Sequence, residues 1–444
     1  MDVCAVDHTS AIRGALLTFT GDPFTDDPRV VLRYERDAIV VMANGRIVDC
    51  GPAAEVTARL PAGTPITHYG NALISAGFID AHVHYPQLPV IGAGGKPLLE
   101  WLTACTFPAE ARYADIDYAR SVAARYLDEN LRQGITTAAV FGTVHPASVD
   151  ALFEDAQRRG LRMIAGKVLM DRHAPPELLD TATRGYDESK ALIERWHHRD
   201  RLLYAITPRF AATSSPAQLE AAAALWRETP GAYVQSHVAE NPAEVAWIST
   251  LYPAQRSYLC VYAHFGLLGR RAIYAHGIYL DDNDFLRLAE SRTALAHCPT
   301  SNNFLGSGLF AMHRARDPAR PVHVALATDL GAGTGFSMLR TMQAASDVAH
   351  LQGHPMSPSR AWWLATQGAA AALDLGGEIG TIAPGREADL VVIDLCSTPL
   401  IDFRMRYVND IDEALGVQLA LGDDRAIRAT YVGGKLAWDR DAPT

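Results

Sequence analysis

The sequence predicts an α/β protein: a (β/α)8 TIM-like barrel with a small β-sandwich domain formed by the N- and C-terminal segments. Strand-like and helix-like runs alternate through the middle of the chain, as in βα units. Short β runs occur near both ends, and several central runs end in histidine or aspartate. The length of 444 residues suits a barrel of about 250 residues plus a smaller module.

The terminal segments carry the runs expected of one small sheet. Asn44-Gly45 separates two of them and is a two-residue hairpin signal. We expect a discontinuous β domain from residues 1–72 and 380–444, flanking a barrel formed by residues 73–379. The terminal runs are Ala15–Phe19, Ala38–Met42, Arg46–Cys50, Ala388–Asp394 and Ala429–Leu436.

Eight short, largely apolar runs are predicted as the barrel strands. The first ends at the His82-Val83-His84 tripeptide; the others are Gly134–Phe141, Arg162–Val168, Leu202–Thr207, Tyr233–His237, Ile273–His276, Thr293–His297 and Val324–Asp329. Helical runs lie between or after them, at Tyr118–Gln133, Pro216–Thr229 and Ala361–Leu373. Eight strands in this alternation are what the barrel requires.

The strand ends predict a metal site. Side chains alternate across a strand with period two, so His82 and His84 point to one face and can share a cation. Parallel barrel strands converge at one mouth, which places His237, His276 and Asp329, the ends of the fifth, sixth and eighth strands, beside them. Histidine nitrogen and carboxylate oxygen are the ligands of catalytic zinc.

The same region carries candidate catalytic groups. Glu240 lies three residues after His237, where a carboxyl group could shuttle a proton to a substrate. Asp329 could both bind the metal and accept a proton from the water, whose pKa a bound metal lowers from roughly 15.7 to about 7. His276 could bind the metal or hydrogen-bond the attacking hydroxide, and the sequence does not choose between these roles.

Composition limits the partners and the compartment. The formal charge of −10, with no cluster of basic residues, argues against a nucleic-acid partner. Six scattered cysteines, Cys4 among them, form no C-x-x-C pair, and we expect reduced thiols. No signal-peptide pattern and no apolar stretch approaching 18 residues occurs, so we expect a cytoplasmic protein without a membrane partner.

Longer motifs connect these residues with a known family. The chain resembles the amidohydrolase superfamily of metal-dependent barrel hydrolases along nearly its whole length, and is similar to the guanine-deaminating members. Two positions depart from the pattern, with Ala76 in place of a proline and Gly335 in place of a serine. The motifs are Gly77–Gln87, Leu99–Leu102, Thr106–Pro108, Pro208–Phe210, His297–Asn302, Thr328–Thr334 and the closing segment Gly380–Leu390.

The resemblance implies hydrolytic deamination of guanine to xanthine and ammonia by zinc-activated water, a step of purine catabolism. It implies that Gln87 and Arg209 hydrogen-bond the purine and that Phe210 offers a ring for stacking, while Trp101 either closes the pocket or packs in the core. It also implies a homodimer with one zinc ion per subunit, although iron occupies related sites.

Two alternatives stay open. The same chemistry could act on a related ring, such as 8-oxoguanine, a pterin or an aminotriazine, with differences around the purine-binding residues. A more remote alternative is a barrel without catalytic activity that serves as a scaffold.

Overall fold

The computed structural model describes residues 9–94 and 96–442. Cys4 and the outermost residues of both predicted terminal segments lie outside this part of the chain. In chain order the strands are β1 Ser10–Phe19, β2 Leu32–Ala43, β3 Arg46–Pro52, β4 Ile66–Ala76, β5 Phe78–His84, β6 Ile135–Phe141, β7 Arg162–Gly166, β8 Val168–Leu169, β9 Leu202–Pro208, β10 Tyr233–Val238, β11 Ala272–His276, β12 Ala294–His297, β13 Val324–Leu326, β14 Leu390–Ile393, β15 Ile427–Val432 and β16 Lys435–Asp439.

The terminal strands form one mixed sheet with the order β16-β15-β14-β4-β1-β2-β3. Its two halves join where β14 pairs antiparallel with β4, with Leu390 opposite Ala76. The predicted hairpin turn is present, since Asn44 and Gly45 adopt φ of 52° and 79°. The predicted run Ala429–Leu436 is instead two strands, because Gly433 and Gly434 make a second turn with positive φ.

Eight parallel strands form the barrel in the order β5-β6-β7-β9-β10-β11-β12-β13, and this confirms the predicted fold. The short strand β8 follows β7 after one residue and pairs with β9. The two ends of this order meet at the mouth, where the Asp329 N–H donates to the His82 carbonyl at 2.9 Å. Small and branched apolar residues, including Ala139, Ile164 and Ala275, fill the interior.

Helices cover the outside of the barrel, and aromatic and aliphatic side chains form the core between the two layers. In chain order they are α1 Pro28–Val31, α2 Ala53–Thr57, α3 Leu98–Trp101, α4 Phe107–Ala111, α5 Ile116–Arg132, α6 Pro146–Arg159, α7 Ala182–Trp196, α8 Pro216–Glu228, α9 Pro242–Leu251, α10 Tyr258–His264, α11 Asp282–Ser291, α12 Pro299–Phe304, α13 Met312–Ala315, α14 Met338–Leu351, α15 Pro358–Leu364, α16 Gln367–Ala372, α17 Pro399–Met405 and α18 Ile411–Leu421. Shorter 3₁₀ turns span Tyr85–Val90, Arg112–Ala114, Pro176–Leu178 and Asp424–Ala426, and a π-helical turn spans Leu102–Thr106.

Two helical features differ from the sequence expectation. The predicted helix Ala361–Leu373 is divided into α15 and α16, because Thr366 leaves the helical region with φ −131° and ψ −101°. The C-terminal segment contributes α17 and α18 in addition to its strands. Within the described ranges, no helix is both long enough and apolar enough to span a bilayer.

The junction between sheet and barrel positions the first barrel strand. Gly77 connects β4 with β5, and its N–H donates to the Asp389 carbonyl at 2.9 Å. A Cβ atom at this position would lie 2.3 Å from the Thr136 side-chain oxygen, so only glycine fits. The division of the chain at residues 72/73 and 379/380 stays a prediction.

Candidate metal centre and active site

The first strand brings two histidines to the mouth. His82 and His84 lie at the end of β5 and are both buried. Their ring centroids are 5.0 Å apart, and both rings pack on Phe141 at the end of β6, at 4.8 and 4.6 Å. Contact with one aromatic ring holds both imidazoles on the same side of the strand, as the alternation of β5 predicts.

Two further strand ends approach this pair. The Nε2 atom of His237 lies 3.0 Å from the Nε2 atom of His84. The Oδ1 atom of Asp329 lies 3.3 Å from His82 Nε2 and 3.7 Å from His84 Nε2. Side chains from β5, from β10 and from the segment after β13 therefore meet at one point.

Hydrogen bonds set the tautomers of His237 and His276. The Nδ1 atom of His237 donates to the Arg209 carbonyl at 2.6 Å, since a carbonyl oxygen can only accept. The Nδ1 atom of His276 lies 2.8 Å from the Asn302 side-chain oxygen. Both rings therefore direct an unprotonated Nε2 toward the cluster, as a metal ligand requires.

The donor set fits a divalent cation. In the described part of the chain, His82 Nε2 and His276 Nε2 are buried without a hydrogen-bond partner, which is uncommon for buried polar atoms. Burial lowers the pKa of His82, His84 and His237 well below the ordinary value, so these rings are neutral. Neutral imidazoles beside a carboxylate are typical zinc ligands.

Two residues of the cluster have a left-handed backbone conformation, which directs their side chains into the mouth. His276 and Asp329 adopt φ of 72° and 48°, a conformation that non-glycine residues rarely take. The buried carboxylate of Asp80 accepts from the Thr328 backbone N–H at 2.9 Å and from the Thr328 hydroxyl. This contact ties β5 to the chain that carries Asp329.

Glu240 faces the same cluster. Its Oε2 atom lies 3.3 Å from His276 Nε2, and its Oε1 atom accepts from the Ser307 hydroxyl at 3.1 Å. Burial, followed by the charge of Asp329, raises the pKa of Glu240 to about 8. A carboxyl group in this state is protonated at neutral pH and can donate a proton.

A cavity of about 410 Å³ opens on this cluster. Gln87, Arg209, Phe210 and Trp101 all line it, so the structure brings every predicted site residue to one place. The Trp101 indole N–H donates to the Ala93 carbonyl at 2.6 Å, which fixes the ring in the wall. The remaining lining residues are Leu98, Leu102, Glu244 and Ala332, with His84, His237, Glu240, His276 and Asp329 from the cluster.

Sequence reasoning missed three residues of this site. Glu110 lies between Gln87 and Arg209, and its only signal was its position shortly after the Thr106-Phe107-Pro108 motif. Asn302 holds His276 and belongs to another motif, where any of its polar residues could have had this role. Glu244 lines the cavity and accepts from the Glu240 backbone N–H at 2.9 Å.

The Cys298 thiol also lies among the cluster atoms. Its sulfur and the ligand atoms of His82, His276 and Asp329 all lie within 4.8 Å of one another. Burial raises the pKa of Cys298 well above the ordinary value, so the group stays a protonated thiol.

Comparison with known proteins relates this site to a family. The model of the amidohydrolase family matches residues 73–437. The guanine deaminase of Escherichia coli K12 is 46% identical over 441 residues, covering 98% of this chain and 99% of that protein.

Two solved structures agree with this match. The structure of the E. coli guanine deaminase has a TM-score of 0.95 at 45% identity, covering 97% of this chain and 100% of that chain. A guanine deaminase from C. acetobutylicum, with guanine bound in its active site, has a TM-score of 0.86 at 27% identity. That match covers 96% of this chain and 99% of the other.

Proposed function

The chain belongs to the amidohydrolase family, and we propose that it hydrolyses guanine to xanthine and ammonia. One observation carries this conclusion: the histidine–carboxylate cluster and a wall made by Gln87, Arg209 and Phe210 face the same buried cavity. A flat polar ring bound on that wall would present its edge to the cluster. The match to guanine deaminases along nearly the whole chain supports guanine as that ring.

We propose that His82, His84, His237 and Asp329 hold one divalent cation. His276 either completes this set or hydrogen-bonds the attacking water. Zinc suits the nitrogen and oxygen donors best, and iron is the alternative that elemental analysis would distinguish. When bound, such a cation supplies Lewis-acid activation of a water molecule at neutral pH.

The carboxyl groups of the chain move the protons. Asp329 accepts the proton of the water that attacks C2 of guanine. Glu240, protonated because of its burial, donates to ring nitrogen N3 and so makes C2 a better electrophile. Asp329 then gives the water-derived proton to the departing amine, which leaves as ammonia when the C2–N bond breaks. Glu240, now ionised, takes the proton of the new hydroxyl group, so that the C2 carbonyl of xanthine forms.

The wall residues orient the ring. Arg209 donates hydrogen bonds to the carbonyl edge of the purine, and Gln87 pairs with a neighbouring ring atom. Phe210 and Trp101 supply apolar and aromatic surface that excludes water. A site of this kind rejects analogues strongly, because a ring that leaves buried donors or acceptors unpaired loses affinity.

The test is ammonia release by purified, zinc-loaded protein from guanine, 8-oxoguanine, a pterin and an aminotriazine at equal concentrations. We expect guanine to be deaminated with a kcat/KM far above the others. A preference for another ring would overturn the substrate, and no release from any ring by metal-loaded protein would overturn the activity.

A homodimer, a role in purine catabolism and a cytoplasmic location are further parts of this proposal. The homodimer and the role in purine catabolism rest on the resemblance to guanine deaminases, and the location is the expectation drawn from the sequence. Light scattering on the purified protein tests the homodimer, and we expect a mass twice the 48.1 kDa of the chain.

A further inference from the structure

Glu110 joins the two polar residues of the purine wall. Its side chain is completely buried. One carboxylate oxygen accepts from Gln87 Nε2 at 3.1 Å, and the other accepts from Arg209 NH1 at 2.6 Å. The same short helix, α4, places the Phe107 ring 5.5 Å from the Arg209 guanidinium carbon. Both donors of the wall are therefore held by one helix.

The Glu110 carboxylate decides which end of the Gln87 amide faces the cavity. A carboxylate can only accept, so Nε2 must face Glu110 and Oε1 must point away. In the described part of the chain, Gln87 Oε1 is buried and has no hydrogen-bond partner. Gln87 thus offers a ligand an acceptor rather than a donor.

Arg209 and Gly331 complete the pattern of donors and acceptors that the wall offers to a ligand. The Arg209 guanidinium makes no hydrogen bond to a described residue other than the one from NH1 to Glu110, so its remaining N–H groups are available as donors. Gly331 makes room for Gln87, because a Cβ atom there would lie 2.2 Å from Gln87 Oε1. The wall therefore presents one acceptor and a set of donors.

We propose that Glu110 is a positioning residue that makes the pocket select a lactam edge, an N–H donor beside a C=O acceptor. This inference rests on the proposed function and names the part of the purine that is recognised, N1–H with the C6 carbonyl. An edge with a bare ring nitrogen beside an amino group would place acceptor against acceptor and donor against donor. Such mismatches leave buried groups unpaired and weaken binding strongly.

We expect the substitution Glu110→Gln to reverse the orientation of the Gln87 amide. The carbonyl oxygen of the introduced amide would remain with Arg209, because the guanidinium only donates. The amino group of that amide would then face Gln87 and require the Gln87 side chain to turn, which brings Nε2 toward the cavity. The variant would therefore lose the preference for a lactam edge rather than simply lose affinity.

The probes are hypoxanthine, which has the lactam edge, and adenine, which has the reverse edge. Neither carries an amino group at C2, so neither is a substrate for attack at that carbon. Calorimetric titration of zinc-loaded wild-type protein should show that hypoxanthine binds at least about a hundredfold more tightly than adenine. In Glu110→Gln that ratio should shrink by at least about tenfold.

Glu387→Gln is the matched control. Glu387 is also a mostly buried carboxylate that accepts from two partners, the guanidinium groups of Arg162 and Arg201, each at 2.6 Å. It lies far from the cavity, beside residues that begin β7 and precede β9. This variant should melt at a lower temperature and keep the wild-type binding ratio.

The outcomes separate this inference from the proposed function. A Glu110→Gln ratio equal to that of the wild type would overturn the inference, as would equal binding or no binding of the two probes by the wild type. The proposed function fails instead if the wild type releases no ammonia from guanine. If Glu110→Gln does not fold, Glu110→Asp is the second variant, which keeps the charge on a shorter side chain. It should hold only one of the two donors, Gln87 Nε2 or Arg209 NH1, so the preference for hypoxanthine over adenine should fall.

Discussion

Buried charge occurs at both ends of the barrel, and the two clusters differ in how their polar atoms are paired. At the mouth, His82 Nε2 and His276 Nε2 lack hydrogen-bond partners among the described residues, and burial raises the pKa of Glu240 to about 8. At the base, Glu387 bridges two arginines. We call this second group the base cluster; it consists of Arg162, Arg201, Glu378, Glu387 and Asp389.

The pKa values of Glu240 and Glu387 shift in opposite directions. Burial opposes ionisation of Glu387, but the charges of Arg201 and Arg162 outweigh it and lower its pKa. At the mouth, no arginine of the described residues pairs with Glu240, and burial determines its raised pKa. A buried carboxyl group that keeps a raised pKa and unpaired neighbours is a functional candidate, whereas a paired one holds the fold together.

The largest effect is expected when the mouth loses a group with two roles. Asp329→Asn removes a proposed ligand and the proposed proton acceptor, so turnover should fall by at least about 10⁴-fold, with loss of bound metal. Steady-state kinetics and elemental analysis of the purified variant measure both. Metal content and kcat near those of the wild type would contradict both roles.

Glu240→Gln separates proton transfer from metal binding. The amide keeps the shape of the side chain but cannot donate the required proton, so kcat should fall by about 10²- to 10⁴-fold while the metal is retained. The melting temperature should not fall, because a neutral amide replaces a protonated carboxyl group and can still accept from the Ser307 hydroxyl. A variant that turns over guanine at the wild-type rate would remove Glu240 from the mechanism.

Arg209→Lys and Arg201→Lys compare the same substitution at the mouth and in the base cluster. Lysine is a point charge that cannot both pair with Glu110 and donate a second, planar hydrogen bond, so kcat/KM for guanine should fall by about 10- to 100-fold. Arg201→Lys in the base cluster is the control. It should lower the melting temperature and leave kcat/KM unchanged, and the opposite pattern would invert the two assignments.

The smallest effect on turnover is expected from Glu387→Gln. Removing the shared partner of Arg162 and Arg201 should lower the free energy of unfolding by about 3 kcal/mol, with activity per folded molecule unchanged. Chemical denaturation measures the first quantity and active-site-normalised kinetics the second.

The same variant has a predictable pH dependence. The folded-state pKa of Glu387 lies below its ordinary value of 4.5, so its contribution to stability is present above that value and lost as the pH falls through the folded pKa. The stability gap between wild type and Glu387→Gln should therefore close in acid. A gap that widens below pH 4.5 would contradict the ion pairs as its source.

The sequence predicted the residues at the barrel mouth better than the contacts that hold them in place, for a physical reason. Strand ends are recognisable because short apolar runs alternate with helices, and His82 and His84 share a face by period two alone. Parallel strands then bring His237, His276 and Asp329 to the same place without any knowledge of packing. The fold and the meeting of these side chains therefore follow from local pattern and topology.

The supporting contacts depend on packing between distant segments. Glu110 looks in sequence like an ordinary helical glutamate such as Glu129, which the structure leaves near the surface with Arg125. Only the approach of α4 to β9 and β5 reveals its partners, 99 and 23 residues away. The break at Thr366 likewise escapes periodicity, because alanine and leucine on both sides favour one continuous helix.

The most direct test of the account is zinc titration of chelator-treated protein, with ammonia release from guanine measured at each addition. We predict almost no activity without metal and a linear recovery that saturates at about one zinc ion per chain, since the two ligand groups found among the described residues share His82 and meet at the mouth. Full activity of the metal-free protein, or no activity at any zinc concentration, would contradict the claim that this cluster is the centre of a metal-dependent guanine deaminase.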